Sequence, residues 1–505
     1  MQKVNNPMCH IDIKYDVLII GAGVVGSAIA RELSKFKLHI GVLEKNVDVG
    51  LETSSRNSGV IHSGIHYKPK TLRARLDVEG NALMGALCDE LKVKYKYSGK
   101  LTVAQQNNEI PELHKLYEQG HRNGVKNLRI ISSDKMQKIQ PGIQGIAALH
   151  SPTTGIVNPY ALTIALAENA QANGVDVLLE HNVYNIKHNK DGFKIKCTNE
   201  TVLNTKLLIN AAGLYSDKIC RMLGIKEYRI YPCRGEYYVL DKRLEGTLKT
   251  LIYPIPGHDA SSLGIHLTNT VDGNILIGPS NEYIDKSNNL DDQCNNYDTT
   301  TKIMEELRKK GHELLPNLSM SDFIRSFSGL RPKQTPPEKG GFKDFVIEKR
   351  QDVPGFINLV GIESPGLTSA PAIASMVRNF VSEDLPLEKN TEFNGSRPDF
   401  SHHFSELSVD KKAALVAKNP DYGEIICRCE QITKKEVLDA IRNPLDARSI
   451  VSLKYRARIM MGRCQGGFCL PRLTHILEAE YGEDVSSYIY NRPNSYLFTG
   501  RVREL

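Results

Sequence analysis

A glycine-rich turn near the amino terminus constrains the fold of this chain more than any other segment. Gly21-Ala22-Gly23-Val24-Val25-Gly26 has the pattern G-x-G-x-x-G, directly after the apolar run Tyr15–Ile20. The first glycine permits a tight turn, the second lets phosphates approach the backbone, and the third lets a helix pack against the strand. The pattern therefore predicts a buried strand, a turn, a helix at Ser27–Phe36 and a second strand at His39–Leu43.

A carboxylate follows at the end of that second strand. Glu44 lies roughly twenty residues after Gly21, the separation at which a carboxylate binds ribose hydroxyls. The amino terminus of the preceding helix would face the phosphates, because its free N–H groups attract anions. Together these features predict a nucleotide site, with a purely structural glycine turn as the alternative.

The composition is that of a globular protein. The chain has 505 residues, 24% of them charged, with a net charge of +7, and its length suits roughly two to four domains. No Lys/Arg run is long enough to indicate nucleic-acid binding, and the positive excess fits either an anionic small substrate or no special partner. We find no signal-peptide pattern and no transmembrane segment. Six scattered cysteines without a secreted disulfide pattern favour a cytoplasmic protein.

Hydrophobic periodicity predicts further elements along the chain. Helices are expected at Pro159–Ala172, Thr301–Glu313, Ser369–Asn379, Val409–Val416 and Lys434–Arg442. Strands are expected at Asp176–Glu180, Lys194–Cys197, Leu207–Ala211, Tyr237–Leu240, Ile275–Ile277 and Phe356–Val360. The polar segment from Glu383 to about Asp421 is typical of a linker.

Four cysteines gather near the carboxyl terminus. They are Cys427 and Cys429, spaced C-x-C, and Cys464 and Cys469, spaced C-x4-C. Thiolates grouped in this way select an iron–sulfur cluster or zinc. A metal centre would supply part of the folding energy of a domain this small. The alternatives are structural zinc and unligated buried cysteines.

Three further segments complete a pattern that spans most of the chain. They are the polar loop Ser54–Gly64, the strand end Leu208–Gly213 and the strand-to-helix turn Gly361–Thr368. In this order, after the glycine turn, they resemble the D-amino-acid-oxidase-like family of FAD-dependent oxidoreductases from Asp16 to about Asn379. The resemblance implies FAD, held by Gly21, Gly23, Gly26, Glu44, Ser54, Ser55, Asn57, Ser58, Gly59, Ala212, Gly213, Gly361, Gly366, Leu367 and Thr368.

The resemblance also implies an architecture. We expect an α/β FAD-binding Rossmann-like domain (about 14–87, 149–225 and 330–385) interleaved with an α+β substrate domain (about 88–148 and 226–329). A linker (386–420), a small helical iron–sulfur domain (421–485) and a tail (486–505) would follow. The cysteine segment itself resembles bacterioferritin-associated ferredoxins, which implies a [2Fe–2S] cluster on Cys427, Cys429, Cys464 and Cys469.

Two groups of enzymes within the family resemble this chain in particular segments. Asn57–Pro69, Arg234–Tyr237 and Gly264–Thr268 look like L-2-hydroxyglutarate dehydrogenase. Arg56-Asn57 and His62-Ser63-Gly64 also match the catalytic subunit of anaerobic glycerol-3-phosphate dehydrogenase, which ends in the same cysteine domain. The cysteine domain favours this second group, so the expected reaction is oxidation of sn-glycerol 3-phosphate to dihydroxyacetone phosphate. Alternatives are an L-2-hydroxy-acid dehydrogenase and an iron-carrier module fused to a flavoreductase.

Oxidation of an alcohol requires a base, and an anionic substrate requires a cation. His62 and His266 are the candidate bases, because the pKa of histidine lies near neutrality. Arg331 and Arg234 are the candidate cations, since guanidinium binds carboxylate or phosphate in a bidentate manner. The expected partners are the anionic substrate and an electron-accepting protein subunit, through which the protein would associate with a membrane.

Overall fold

The computed structural model describes residues 14–256, 264–284, 294–315, 317–397 and 403–500. In these ranges the strands, numbered in chain order, are β1 (Lys14–Ile20), β2 (Ile40–Leu43), β3 (Val60–Ile61), β4 (Tyr95–Lys96), β5 (Lys100–Ala104), β6 (Arg129–Ser132), β7 (Ala147–Ser151), β8 (Gly155–Val157), β9 (Asp176–Leu178), β10 (Val183–Asn189), β11 (Gly192–Cys197), β12 (Val202–Asn210), β13 (Tyr231–Leu240), β14 (Leu251–Pro254), β15 (His266–Asn269), β16 (Ile275–Gly278), β17 (Glu282–Tyr283), β18 (Phe323–Lys333), β19 (Val346–Lys349), β20 (Phe356–Val360), β21 (Ile425–Cys427) and β22 (Ile432–Thr433). The helices are α1 (Val24–Leu33), α2 (Leu72–Glu90), α3 (Ile110–Arg122), α4 (Ser133–Ile139), α5 (Pro159–Ala172), α6 (Ser216–Met222), α7 (Thr301–Leu314), α8 (Gly366–Ser382), α9 (Val409–Lys418), α10 (Lys434–Ile441), α11 (Ile450–Ala457) and α12 (Leu470–Tyr481). Parts of the expected linker (398–402) and tail (501–505) lie outside the described residues.

The first sheet carries the glycine turn. Its order is β10-β11-β12-β1-β2-β9, and β20 pairs with both β12 and β19. β1 runs parallel to β2 and β12, and β20 runs parallel to β12. Val17, Leu18 and Ile19 are fully buried, as in strands that are covered on both faces. Parallel pairing brings the carboxyl ends of these strands to one edge, where open α/β sheets bind ligands.

A second, mixed sheet faces that edge across a cavity. Its order is β17-β13-β16-β15-β14-β5-β7-β6, with β18 beside β13. The β13–β18 pair is the most extensive, running antiparallel from Tyr231↔Lys333 to Leu240↔Phe323. Its strands come from chain segments that alternate with those of the first sheet. The predicted fold class is confirmed: an α/β nucleotide-binding part is interleaved with an α+β part.

The cysteine segment forms a small unit of its own. A two-stranded sheet, β21–β22, precedes α10, α11 and α12. Apolar side chains including Ile426, Leu453 and Leu473 form its core. α10 begins with a capping box, in which Thr433 and Glu436 satisfy each other's backbone N–H groups.

Buried ion pairs dock this cysteine unit onto both the nucleotide-binding part and the second-sheet part. The Arg456 guanidinium contacts the Asp48 carboxylate at 2.6 and 3.2 Å and the Glu168 carboxylate at 2.9 Å. Arg458 pairs with Asp272 at 2.5 Å. Each of these side chains is less than a tenth exposed, so the cysteines hold a fixed position relative to the cavity.

The element ends differ from the predictions where tertiary contacts decide them. α1 begins at Val24 rather than Ser27, because Gly23 already serves as its N-cap. β13 begins at Tyr231 rather than Tyr237, because it pairs with β18 along its whole length. The described part of the tail is packed: the Ile450 and Val451 N–H groups donate to backbone carbonyls of residues 489 and 490.

Candidate active site and cysteine centre

A cavity of about 540 Å³ lies between the two sheets, at the carboxyl ends of β1, β2 and β12. The glycine turn forms one wall. Gly21 has φ +104°, and a Cβ on it would lie 2.6 Å from the Ala211 carbonyl oxygen. A Cβ on Gly26 would lie 1.9 Å from the Gly21 oxygen. No other residue type fits at either position, so the backbone there is kept open to the cavity.

Glu44 lies opposite this turn at the end of β2. Its Oε2 accepts a hydrogen bond from the Ala22 N–H at 2.9 Å, and its Oε1 accepts from the Asn46 N–H at 3.0 Å. The carboxylate lines the cavity while it is held by the turn. This is the geometry that the spacing of Glu44 predicts for a group that binds ribose hydroxyls.

The polar loop after Glu52 forms the next wall. The Ser54 hydroxyl accepts a hydrogen bond from the Val24 N–H at 2.9 Å, at the amino terminus of α1. Asn57 shapes the loop, since its Oδ1 accepts from the Gly59 N–H at 2.9 Å. The Thr368 hydroxyl of α8 accepts from the His62 N–H at 2.9 Å. These bonds fix the backbone that presents His62 to the cavity.

The expected cofactor-binding residues divide into two groups. Those that line the cavity are Gly21, Gly23, Glu44, Ser54, Asn57, Ser58, Ala212, Gly213, Gly366 and Leu367. Those that do not line it are Gly26, Ser55, Gly59, Gly361 and Thr368. The residues of the second group lie behind the lining residues and leave room for their neighbours. A Cβ on Gly361, for example, would lie 2.2 Å from the Gln334 amide nitrogen.

Two histidines face the end of the cavity that the second sheet forms. His266 Nδ1 donates to the Gly264 carbonyl at 2.8 Å, and its buried Nε2 has no hydrogen-bond partner among the described residues. His62 Nε2 lies 3.4 Å from the Ser364 hydroxyl. Burial, and next the positive charge of Lys100, lower the pKa of His62 to about 3. Burial also lowers the pKa of His266 to about 3, so both imidazoles are neutral at pH 7 and can accept a proton.

Arg331 supplies a cation at the same end. Its Nη2 donates to the Ser280 carbonyl at 2.6 Å, and its Nη1 donates to Asn281 Oδ1 at 2.8 Å. Among the residues that the structure describes, no carboxylate forms an ion pair with it. A Cβ on Gly235 would lie 2.5 Å from Arg331 Nη2, so the glycine leaves room for the guanidinium. The charge is therefore available to an anion in the cavity.

The structure places Arg234 away from the cavity. Its guanidinium pairs with Glu282 at 2.7 Å and with Glu236 at 3.3 Å, and it does not line the cavity. Side chains alternate along a strand, and on β13 it is Gly235 and Tyr237 that reach the cavity. Arg234 therefore acts as a structural ion-pair partner.

Several residues at this end were not predicted as site residues. Tyr253 stacks on His266 with ring centres 3.8 Å apart and lines the cavity beside Glu363 and Ser364. Glu363 is 4% exposed and pairs with Arg73 at 3.3 Å. Nothing in the sequence separates Tyr253 from the chain's other tyrosines, so only the pairing of β14 with β15 identifies it.

The four cysteines meet at one end of the cysteine unit. The Cys427 and Cys469 side chains lie next to each other, as do those of Cys429 and Cys464. The first pair is buried and the second is exposed. A Cβ on Gly462 would lie 2.2 Å from the Cys429 Cβ, which explains the glycine there.

The arrangement in pairs bears on the choice of metal. Within the described ranges, no three ligand side chains are placed to hold one metal ion. Structural zinc requires four ligands around one point. Two pairs of thiolates suit a cluster with two irons, each held by two cysteines. The two pairs are compatible with a [2Fe–2S] cluster.

Comparison with known proteins decides the family. Residues 16–379 match the FAD dependent oxidoreductase family. The chain belongs to this family. Residues 425–479 of this FAD-dependent oxidoreductase match the BFD-like [2Fe-2S] binding domain. FAD and a [2Fe–2S] cluster are thus its two cofactors, as the sequence predicts.

Similar proteins include dehydrogenases and oxidases. The chain is 42% identical to a glycerol 3-phosphate dehydrogenase from Caloramator mitchellensis, over 97% of this chain and 99% of that protein. It is 33% identical to the mitochondrial L-2-hydroxyglutarate dehydrogenase of Homo sapiens, over 74% of this chain and 90% of that protein. A solved structure of dithionite-reduced L-alpha-glycerophosphate oxidase from Mycoplasma pneumoniae with FAD bound matches with a TM-score of 0.69 and 29% identity, covering 76% of this chain and 98% of that one.

No helix in the described residues is long and apolar enough to cross a membrane.

Proposed function

We propose that this oxidoreductase oxidises sn-glycerol 3-phosphate to dihydroxyacetone phosphate and passes the electrons through its [2Fe–2S] cluster to a partner protein. The observation that carries the proposal is the likeness to a glycerol 3-phosphate dehydrogenase over 97% of the chain. That likeness includes the cysteine unit, whereas the likeness to L-2-hydroxyglutarate dehydrogenases covers 74% or less of the chain.

The residues at the second-sheet end of the cavity suit this chemistry. Arg331 would bind the substrate phosphate through its guanidinium, which forms no ion pair with any carboxylate of the described residues. Nε2 of His62 or His266 would accept the hydroxyl proton as general base, because both imidazoles are neutral. FAD, when bound, supplies the acceptor for the hydride that leaves the same carbon. Tyr253 holds the His266 ring in place by stacking against it.

The docked cysteine unit supports transfer of electrons within one chain. Arg325 Nη1 donates to Gln465 Oε1 at 2.7 Å, next to Cys464. Arg325 lies on β18, the strand that also carries Arg331 into the cavity. The exposed pair, Cys429 and Cys464, would then face an acceptor in solution.

A substrate screen tests the reaction. Purified holoenzyme is mixed anaerobically with sn-glycerol 3-phosphate or L-2-hydroxyglutarate, and flavin bleaching and dye reduction are recorded. We expect glycerol 3-phosphate to bleach the flavin and to support turnover. Bleaching by L-2-hydroxyglutarate alone would refute the proposal in favour of the second candidate reaction. The Arg331 guanidinium would then bind a carboxylate of that substrate.

A cluster variant tests the electron route. In Cys429→Ser, glycerol 3-phosphate should still bleach the flavin, because the cavity is unchanged. The EPR signal of a reduced [2Fe–2S] cluster, expected in the wild-type protein after substrate addition, should be absent. The matched control is Cys197→Ser, a buried cysteine on β11 away from the cysteine centre, which should keep the signal. A wild-type cluster that stays oxidised after the flavin bleaches would contradict the route.

A further inference from the structure

The sequence around the cysteine centre carries positive charge only. The stretch from Lys454 to Leu477, which contains Cys464 and Cys469, has five Lys or Arg residues and no Asp or Glu. A sixth cation, Arg428, stands between the other two cysteines. Each of these cations either pairs with a carboxylate elsewhere in the protein or faces solvent, and the structure separates the two groups.

Four of the six cations are used within the protein. Arg456 and Arg458 form the buried ion pairs that dock the cysteine unit, and Lys454 is 4% exposed. Arg463 is exposed, but its guanidinium pairs with Asp241 at 2.8 Å. Arg428 and Arg472 remain. Both are exposed, and no carboxylate of the described residues forms an ion pair with either of them.

Arg428 and Arg472 converge on one aromatic ring. Their guanidinium carbons lie 4.3 and 4.7 Å from the centre of the Phe468 ring. Phe468 is half-buried, and its backbone N–H lies next to the Cys464 Sγ. Arg428 directly precedes Cys429, the other exposed cysteine. The three side chains therefore border the exposed side of the cysteine centre, and we call them the basic face.

The carboxylates closest in sequence to this face are already compensated. Glu430 is buried, and it pairs with Arg458 at 3.1 Å and with Lys242 at 2.6 Å. Glu424 pairs with Lys434 at 3.7 Å. These carboxylates therefore do not neutralise Arg428 and Arg472, whose charges remain available to a partner.

We propose that Arg428, Phe468 and Arg472 form the docking surface for the electron acceptor, and that this acceptor is a redox protein with an acidic surface. The inference deepens the proposed electron route and rests on it. Guanidinium groups bind carboxylates in a bidentate manner, and arginine and aromatic residues are enriched at the centres of protein interfaces. The positive charge would also speed the approach of an acidic partner.

Other occupants fit the basic face less well. A second copy of this chain would bring the same cations and a net charge of +7 to the contact, and like charges repel each other. Anionic lipid headgroups would attract the arginines, but a lipid headgroup is no electron acceptor. The face borders the exposed cysteines, so a redox protein is the occupant that accounts for both its charge and its position.

A binding measurement tests the proposal without turnover. Oxidised holoenzyme is titrated calorimetrically with cytochrome b5, an acidic haem protein, and with cytochrome c, a basic one, at low salt and at about 0.2 M salt. We expect cytochrome b5 to bind more tightly than cytochrome c at low salt and to lose affinity as salt is added. The double variant Arg428→Gln/Arg472→Gln should bind cytochrome b5 about tenfold more weakly. Preference for cytochrome c, or unchanged affinity in the double variant, would overturn the proposal.

Arg448→Gln is the matched control for the loss of positive charge. Arg448 belongs to the same unit and its side chain is 45% exposed, but it pairs with Asp446 and Glu483. It should bind cytochrome b5 as the wild-type protein does, and each single variant at Arg428 or Arg472 should bind more weakly than this control. If the double variant fails to fold or to hold its cluster, the wild-type preference between the two cytochromes and its dependence on salt decide.

Two further measurements distinguish other roles of the arginines. If they only balance the charge of the cluster, the double variant should change the cluster's reduction potential in a redox titration and keep its affinity for cytochrome b5, which would overturn the proposal. Wild-type binding to phosphatidylglycerol vesicles that is lost in the double variant, with no binding of cytochrome b5, would instead assign the basic face to a membrane.

The outcome is separable from that of the proposed reaction. Binding is measured without substrate, so failure of glycerol 3-phosphate to bleach the flavin would refute the reaction and leave the docking test intact. If the substrate does bleach the flavin, its electrons should reduce cytochrome b5 about tenfold more slowly in the double variant than in Arg448→Gln at low salt. Equal rates in these two variants would count against the basic face.

Discussion

Gly235 determines whether a cation reaches the cavity. Arg331 Nη2 occupies the space where a side chain at position 235 would begin, 2.5 Å away. The nearest obstructing atom is the end of a flexible side chain and the next is the Pro279 Cβ at 2.9 Å, so a methyl group there would displace the guanidinium and press on Pro279. Arg331 is held by the Ser280 carbonyl and Asn281, and it would leave both partners.

We therefore expect Gly235→Ala to weaken substrate binding selectively. Loss of a hydrogen-bonded charge contact corresponds to roughly 1.5–3 kcal/mol, so the KM for the anionic substrate should rise about ten- to a hundredfold. FAD content should stay unchanged. Steady-state kinetics with a dye acceptor measures the change. The control is Gly85→Ala on α2, where a Cβ meets nothing closer than 3.4 Å, and an unchanged KM in Gly235→Ala would contradict the role of Arg331.

At the scale of elements, α11 decides where the cysteine unit lies. Arg456 on α11 reaches Asp48, which follows β2, and Glu168 on α5. Their side chains are 7%, 0% and 5% exposed. Tyr455 adds a stack on Tyr160 with ring centres 4.5 Å apart. A buried pair of this kind is weak evidence for added stability, but removing one partner leaves charges without compensation.

Arg456→Met should therefore be strongly destabilising. Because Asp48 would stay buried without its cation, whereas Glu168 keeps its pair with Arg397 at 3.0 Å, we expect a loss of about 3 kcal/mol. Thermal unfolding of the holoenzyme, followed by circular dichroism, measures it. Arg448→Met is the control on the same unit: its pairs with Asp446 and Glu483 are largely exposed, and such pairs contribute about 0–1 kcal/mol. Equal shifts in the two variants would show that the interface does not depend on Arg456.

At the scale of the whole molecule, burial of neutral histidines in the cavity makes stability depend on pH. The pKa values of His62 and His266 are about 3 in the folded protein and about 6.5 in an unfolded chain. Between these values the unfolded state binds protons that the folded state does not. The free energy of unfolding therefore falls as the pH decreases from about 6.5 towards 3.

His266→Asn should reduce this dependence on pH. Each such histidine contributes up to about 1.4 kcal/mol per pH unit below its unfolded pKa. Denaturant unfolding at pH 7.5, 6.5 and 5.5 gives the slope for each protein. Between pH 6.5 and 5.5 the free energy of unfolding of the wild-type protein should fall by about 1 kcal/mol more than that of the variant, and identical slopes would mean that His266 is protonated in the folded state.

Much of the nucleotide-binding part was predictable because its rules are local. One short segment contains β1, the glycine turn and Glu44. The role of the glycines follows from the lack of room for a Cβ, and the role of Glu44 follows from its distance along the chain from the turn. α5 and β20 match their predicted bounds. The sequence alone could not show that Arg234 lies away from the cavity, because the face of a strand depends on its register with β18.

The sequence by itself determined the fold family and both cofactors, through its resemblance to known families. The matches over 16–379 and 425–479 agree with them. Only the tertiary structure decided the reactive end of the cavity. His62 lies in the loop after β3, Tyr253 and His266 lie on the paired strands β14 and β15, and Arg331 lies on β18. Their meeting depends on how two interleaved sheets pack, and no local pattern encodes that packing.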